Sequence, residues 1–465
     1  VAWSALIAGY AQNGLGDEAL MCFRQMKDRG VSPNSVTYVS VLRACGIVGS
    51  LEIGEDIDAE VRKLGLLEKD VVLGTALINM YSMCGALPKA VEVFQQLPVR
   101  NVVSWTSLIA AYAQNGLGDE ALECFRQMQD EGVYPDMVAY VCILKACGIV
   151  RSLKVAEEIH AEIKKLGLLQ KDVVLGTALV DMYFKCGAVE KAHESFEEIP
   201  IRNVVTWSAL IAGYLQHGLG DEALKCYRQM QDAGVCPNLV TYVCVLSACG
   251  IVGSLEVGKD IDAEVQKNGL LQKDILLGNA LVDMYSKCGA LEKAQEVFQQ
   301  LRVRNVVTWS ALIAGYAQLG KANIVLNLYR RMREKGIAPD SVTFTVLFTA
   351  CSHAGLVKEG EKLFNEMCIG YHLTPTLEHY MCMIDLFGRA GHFDKVKDLL
   401  DKVSPSDRLS LLVTLLGACK KWTNAELGRW VFEESLQLDE NCAAAYVSME
   451  NICAAASMQT EAPGI

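Results

Sequence analysis

The sequence predicts an all-α protein built as a solenoid of tandem helix-turn-helix repeats. Three observations predict it. Trp3, Trp105, Trp207 and Trp309 head near-identical blocks spaced by 102 residues. Apolar residues within a block recur with the period of a helix. No β-rich stretch, long linker or low-complexity segment interrupts the series. A fixed period of this kind marks units that bury their apolar faces only by stacking on their neighbours.

Each block holds three related units. In the first, Asn101–Asp136, Trp105, Leu108, Ile109 and Tyr112 stand at i, i+3, i+4 and i+7, one face of a helix. Gly116 and Gly118 interrupt it, and a second helix is expected from Asp119, with Ala121, Leu122, Phe125 and Met128 on one side. Gly132 and Pro135 end that helix in the expected order of breakers. The second unit, Met137–Asp172, opens MVAYVCILKACGIV; the third, Val173–Asn203, opens VVLGTALVDMYFKCG and is shorter.

Composition fits this reading. Hydrophobic residues make up 51% of the 465, yet no apolar run approaches the roughly 18 needed to span a bilayer. The run Leu409–Cys419 is broken by Ser410, Thr414 and Gly417. Cysteine is abundant, at 18, but Cys45, Cys147, Cys249 and Cys351 repeat with the blocks, as do Cys84, Cys186 and Cys288. Thiols that repeat on apolar helix faces are expected to be small core residues in a reducing compartment. The net charge of −12 sits awkwardly with nucleic-acid binding. Much of the acid, however, recurs in one place, Asp17-Glu18, Asp119-Glu120 and Asp221-Glu222. There it opens a helix and favours the positive end of the dipole. Val1 stands inside a repeat, so the sequence is expected to be a piece of a longer chain with any targeting peptide upstream.

The units lack the Trp-x-x-Leu-Gly-x-x-Tyr pattern of tetratricopeptide repeats. Val204–Tyr214 (VVTWSALIAGY), the recurring Asp-Glu-Ala-Leu, and Met-x-x-x-Gly-Val-x-Pro closely resemble the pentatricopeptide repeat family. The alternation of ordinary (P), long (L) and short (S) units resembles its plant-organelle PLS subclass. Ala44–Gly46 marks the long unit and Asp181–Gly187 the short one. The resemblance implies a right-handed superhelix with P repeats at 1–34, 102–136, 204–238 and 306–340. It places L repeats at 35–70, 137–172, 239–274 and 341–376, and S repeats at 71–101, 173–203, 275–305 and 377–407. Residues 408–465 resemble a truncated E region, the first half in Leu409–Asn441 and a remnant of the second in Ala445–Ala456.

The resemblance also implies function: one base of single-stranded RNA per repeat, read by the fifth residue and the last. In P repeats these pairs are Ser4 with Asn34, Thr106 with Asp136, Ser208 with Asn238, and Ser310 with Asp340. In S repeats they are Thr75 with Asn101, Thr177 with Asn203, and Asn279 with Asn305. Asp only accepts and suits guanine, whereas Asn also donates and suits adenine. Asn or Asp before a helix is equally an ordinary N-cap, but the register of seven polar pairs favours a reading role. With the chain's N-terminus at the RNA's 5′ end, the implied site is 5′-A-n-A-G-n-A-A-n-Y-G. Val72, Val103, Val174, Val205, Leu276 and Val307 stand where the family wedges bases, and a core or capping role accounts for each singly as well. Lys185, Lys287 and Arg389 recur at the end of S-repeat first helices and are phosphate candidates, with solvated cations the alternative. Val39, Val141 and Val243 in L repeats, and Met381 in the last S repeat, offer no such reading.

No catalytic site, metal or cofactor is expected. A zinc deaminase needs His-x-Glu with Pro-Cys-x-x-Cys; His160-Ala161-Glu162 matches the first half by letter, and no Cys-x-x-Cys exists. The expected role is recognition of C-to-U editing sites in mitochondrial or chloroplast RNA. Its partners would be a deaminase recruited in trans and small editing cofactor proteins, with no membrane, the chain being monomeric. An RNA-stabilising, splicing or processing factor and a protein-binding scaffold stay open as alternatives.

Overall fold

A computed structural model of the protein describes residues 2–68, 70–170, 172–272, 274–422 and 425–460. Among them every regular element is a helix, and the helices come in pairs. Val102–Gln114 is followed by Gly118–Asp130, Met137–Val150 by Leu153–Lys165, and Val173–Lys185 by Val189–Glu197. The short units are short in their second helix, which holds 8 to 10 residues against 13 in Gly118–Asp130. No described helix is long and apolar enough to cross a membrane.

By packing, the chain divides into two compact units, residues 1–241 and 242–465. Within each, first helices pack against their own second helices and against neighbouring first helices. The result is an α-solenoid in which one layer of every unit is made of first helices. Beyond the last short unit, Pro405–Trp422 packs with Ala425–Leu438 and Ala443–Thr460.

The second helix of the ordinary unit starts at Gly118, one residue before the start the sequence suggests. Gly118 is not only a breaker. A Cβ there would lie 2.6 Å from Val150 Cγ2 and 2.9 Å from the Ala146 carbonyl, so the missing side chain lets this helix meet the next first helix. Asp119 and Glu120 then occupy the first turn, as Asp17, Glu18, Asp221 and Glu222 do in their blocks. The recurrent acid thus lies on second helices.

Where a short unit meets the next ordinary one, an aromatic cluster closes the joint. Trp105, Trp207 and Trp309 are buried and meet Phe94, Phe196 and Phe298 edge-on, with centroids 4.7 to 4.8 Å apart. Arg100, Arg202 and Arg304 lie over those Phe rings at 4.9 to 5.1 Å from their centroids. Each cluster joins two units that could not bury these rings alone. Cys45, Cys147, Cys249 and Cys351 are fully buried, and burial pushes their thiols up to about 12. They are packing residues, inert as nucleophiles.

One long unit departs from its siblings. Gly49 and Gly355 end their helices in the left-handed conformation, and Gly253 takes the same sign of φ, but the matching residue in the second block is Arg151, at φ +55°. A side chain there costs roughly 1–2 kcal/mol. Arg151→Gly is therefore expected to stabilise the protein by about 0.5–1 kcal/mol after the entropy glycine adds to the unfolded chain. A urea midpoint that does not rise would mean that the arginine's own interactions offset the strain.

Candidate nucleic-acid interface

Every first helix from the second unit to the eleventh begins after an Asn or Asp, and the caps with a described side-chain bond share one geometry. Asn34, Asn101, Asn203 and Asn305 accept from the backbone N–H two or three residues on, and Asp136 and Asp340 accept from Ala139 and Thr343. Asn238 does the same with Thr241 at 2.9 Å. Asp70, Asp172 and Asp274 cap the short units alike. All seven last-position candidates are thus N-caps, each satisfying an orphan donor at a stabilisation of about 1 kcal/mol. The cap uses Oδ1. What stays available is Nδ2 of each Asn, a donor, or Oδ2 of each Asp, an acceptor.

The fifth-position residues sit one turn into the helix, and most are buried at its edge: Ser4, Thr75, Thr106, Ser208, Asn279 and Ser310. Thr177 is half-buried. Ser4, Ser208 and Ser310 bond to Thr37, Thr241 and Thr343 of the following helix at 2.7 to 2.9 Å. Thr75 and Thr177 donate to their own helix at the Val71 and Val173 carbonyls, and the Asn279 amide meets Thr308. Thr106 Oγ1 alone among the seven is buried with no partner.

The six wedge candidates stand out from the surface, 51 to 65% exposed although aliphatic. Val36, Val138, Val240 and Val342, at the same register in the long units, are equally exposed. A row of aliphatic side chains held in solvent at one register has no account as core. Residues from three successive first helices, Ser35–Val48, Val71–Met83 and Val102–Gln114, then line a cavity of about 380 Å³, bringing Val72 and Thr75 together with Val39, Asn79 and Gln114. Arg43 is the one charged residue in its wall.

The cations proposed for phosphate are less free than they look in the sequence. Lys185 pairs with Asp181 at 2.7 Å, Lys287 with Asp283 at 2.7 Å, and Arg389 with Asp385 at 2.9 Å. Each pair spans one helical turn, so a phosphate there competes with a carboxylate. Arg43 and Lys145, at the ninth position of two long units, are exposed and stand on the same helix layer with no such partner among the described residues. His160 and Glu162 do not converge: His160 Nδ1 meets the Tyr183 hydroxyl at 2.9 Å, and Glu162 accepts from Tyr140 at 2.8 Å. Among the described residues no group of three metal-capable side chains gathers.

A solenoid with a repeated polar and aliphatic register along its first helices belongs to the helical-repeat proteins. The model of the PPR repeat family matches residues 1–46, 100–148, 202–250 and 304–353. The PPR repeat model matches 75–102, 177–204, 279–306, 342–368 and 378–403. A putative mitochondrial pentatricopeptide repeat-containing protein of Arabidopsis thaliana is 33% identical over 452 residues, covering 97% of this chain and 72% of that protein. A chloroplastic one from the same plant is 35% identical over 458 residues, 98% of this chain and 56% of that protein. The crystal structure of the pentatricopeptide repeat protein PPR10 in complex with an 18-nt psaJ RNA element has the same fold, with a TM-score of 0.52 at 17% identity over all of this chain and 85% of that one. The chain belongs to the pentatricopeptide repeat family.

Proposed function

We propose that this protein binds single-stranded RNA through its first-helix layer, reading one nucleotide per P or S repeat, in a mitochondrion or chloroplast. The observation that carries the proposal is the register itself. On successive first helices a capped Asn or Asp presents one free polar atom, a fifth residue lies one turn on, and an exposed aliphatic stands between them. Unstacked bases need such a set: polar atoms to select the edge, and an apolar surface to stack against. The family's plant relatives named as mitochondrial and chloroplastic support the compartment, and the RNA in the PPR10 complex supports the ligand.

The P, L, S order and the E-like helices after residue 407 support a narrower role, recognition of C-to-U editing sites with a deaminase and small cofactor proteins recruited in trans. Sequencing organellar transcripts from a line lacking the gene tests it: one cytidine should lose editing a few nucleotides 3′ of the sequence 5′-A-n-A-G-n-A-A-n-Y-G. Altered transcript ends or retained introns, with editing intact, would assign the protein to processing instead.

Binding should depend on Arg43 and Lys145 more than on the paired cations. Each phosphate contact to a single strand contributes about 0.7 to the slope of log affinity against log salt. Arg43→Gln with Lys145→Gln is expected to lower that slope by about 1.4 without changing base preference. Lys287→Gln should change it by much less, because Asp283 already holds that ammonium. Filter binding of RNA across a salt series measures both. Equal slopes for wild type and the double variant would remove these two residues from the interface, and no retention of any single-stranded RNA would end the RNA proposal.

A further inference from the structure

In three P repeats the third residue of the following first helix forms a bridge between the two residues proposed to read the base. Thr37 Oγ1 lies 2.8 Å from Asn34 Oδ1 and 2.9 Å from Ser4 Oγ. Thr241 lies 2.9 Å from Asn238 Oδ1 and 2.7 Å from Ser208 Oγ. Thr343 lies 2.6 Å from Asp340 Oδ1 and 2.7 Å from Ser310 Oγ. All three threonines are fully buried.

The proton count in this bridge leaves one arrangement. Thr241 Oγ1 has one proton, and it goes to Asn238 Oδ1. Its lone pairs take the Asn238 backbone N–H at 3.2 Å and the Ser208 hydroxyl, so Ser208 must be the donor to Thr241. The serine then presents lone pairs only, and the amide, with Oδ1 held by the cap, presents Nδ2. A Ser–Asn repeat therefore offers an acceptor beside a donor: with Nδ2 opposite the ring N1, adenine accepts there and donates N6–H to the serine, whereas guanine N1–H would set donor against donor. A Ser–Asp repeat offers two acceptors, which match N1–H and N2–H of guanine. Without the bridge the serine hydroxyl can rotate and offer either polarity, and selection weakens.

We infer that Thr37, Thr241 and Thr343 are positioning residues for base selection: they fix the hydroxyl polarity of Ser4, Ser208 and Ser310 and so sharpen the preference of those repeats. The inference rests on the base-reading proposed above. The chain carries its own contrast, because the residue at this position after the Thr106–Asp136 repeat is Ala139, and Thr106 Oγ1 is left unpartnered.

Competition binding with four RNAs that differ only opposite the Ser208–Asn238 repeat is the test. One good base contact discriminates by about tenfold. Thr241→Val should reduce the preference for A over G to about two- or threefold while leaving mismatches elsewhere unchanged, and Thr241→Ser should restore it. Ala139→Thr should raise the preference for G over A opposite Thr106–Asp136 several-fold, an expected increase that no loss of folding can mimic. If Thr241→Val keeps the wild-type ratios while Asn238→Asp still exchanges A for G, the threonine is a cap and nothing more, and the inference fails alone. If Asn238→Asp also leaves the ranking unchanged, base-reading fails and the inference falls with it.

Discussion

Trp207→Ala is expected to destabilise the protein by about 3–5 kcal/mol, the usual cost of emptying a buried indole site. Trp207 is 4% exposed and meets Phe196 edge-on at 4.7 Å, while Arg202 lies over that same ring at 4.9 Å. The truncation therefore also strips Phe196 of its partner on the short unit's second helix. Stability in a solenoid is a sum of unit and nearest-neighbour interface terms, so a broken joint cannot be made up by distant repeats. The indole N–H has no hydrogen-bond partner, which makes Trp207→Phe a sharp control. It loses volume but also removes a buried orphan donor, which itself costs about 1–3 kcal/mol. The phenylalanine variant should therefore lie much nearer wild type than the alanine one. Urea denaturation followed by circular dichroism measures both. An unchanged midpoint for Trp207→Ala would show that the aromatic joint does not hold the units together.

Much of this was legible because the chain repeats itself. The 102-residue period located the tryptophans, the buried cysteines and the capping Asn and Asp residues without any structure, since a repeated position must do a repeated job. The same reliance on recurrence hid what does not recur. Arg43 and Lys145 have Ser247 and Thr349 at the matching positions, so no register draws attention to them, although they are accessible cations of that helix layer. Conversely, Lys185, Lys287 and Arg389 recur and looked significant. The Asp four residues before each one was the signal that it would be paired, because i and i+4 share a helix face. The exposed Val36, Val138, Val240 and Val342 needed only the second-position register carried into the long units. The threonine bridge was not legible. It depends on one helix's third residue reaching the previous unit's fifth, a distance across units that sequence spacing does not encode.

Capping and base-reading look like rival explanations of Asn238, and one substitution separates them. Asn238→Asp keeps the cap, because Oδ1 of either side chain accepts from Thr241, and Asp340 already caps Thr343 with the same bonds at 2.8 and 2.6 Å. Helix stability should hence stay within about 0.5 kcal/mol, Asn and Asp being near-equal N-caps. What changes is the free atom: a donor at Nδ2 becomes an acceptor at Oδ2. Opposite adenine N1 the variant now sets two acceptors against each other, whereas guanine N1–H acquires a partner. The preference at that nucleotide should turn from A to G. A well-made hydrogen bond to a base is worth about 1–3 kcal/mol, and here adenine forfeits one while guanine acquires one. The A-to-G affinity ratio should therefore move by about two orders of magnitude. Competition between RNAs differing only at that nucleotide reads the ratio directly, and a thermal melt confirms that the cap is intact. Wild type and variant ranking the four bases alike, with equal melting points, would leave Asn238 with its cap and no role in selection.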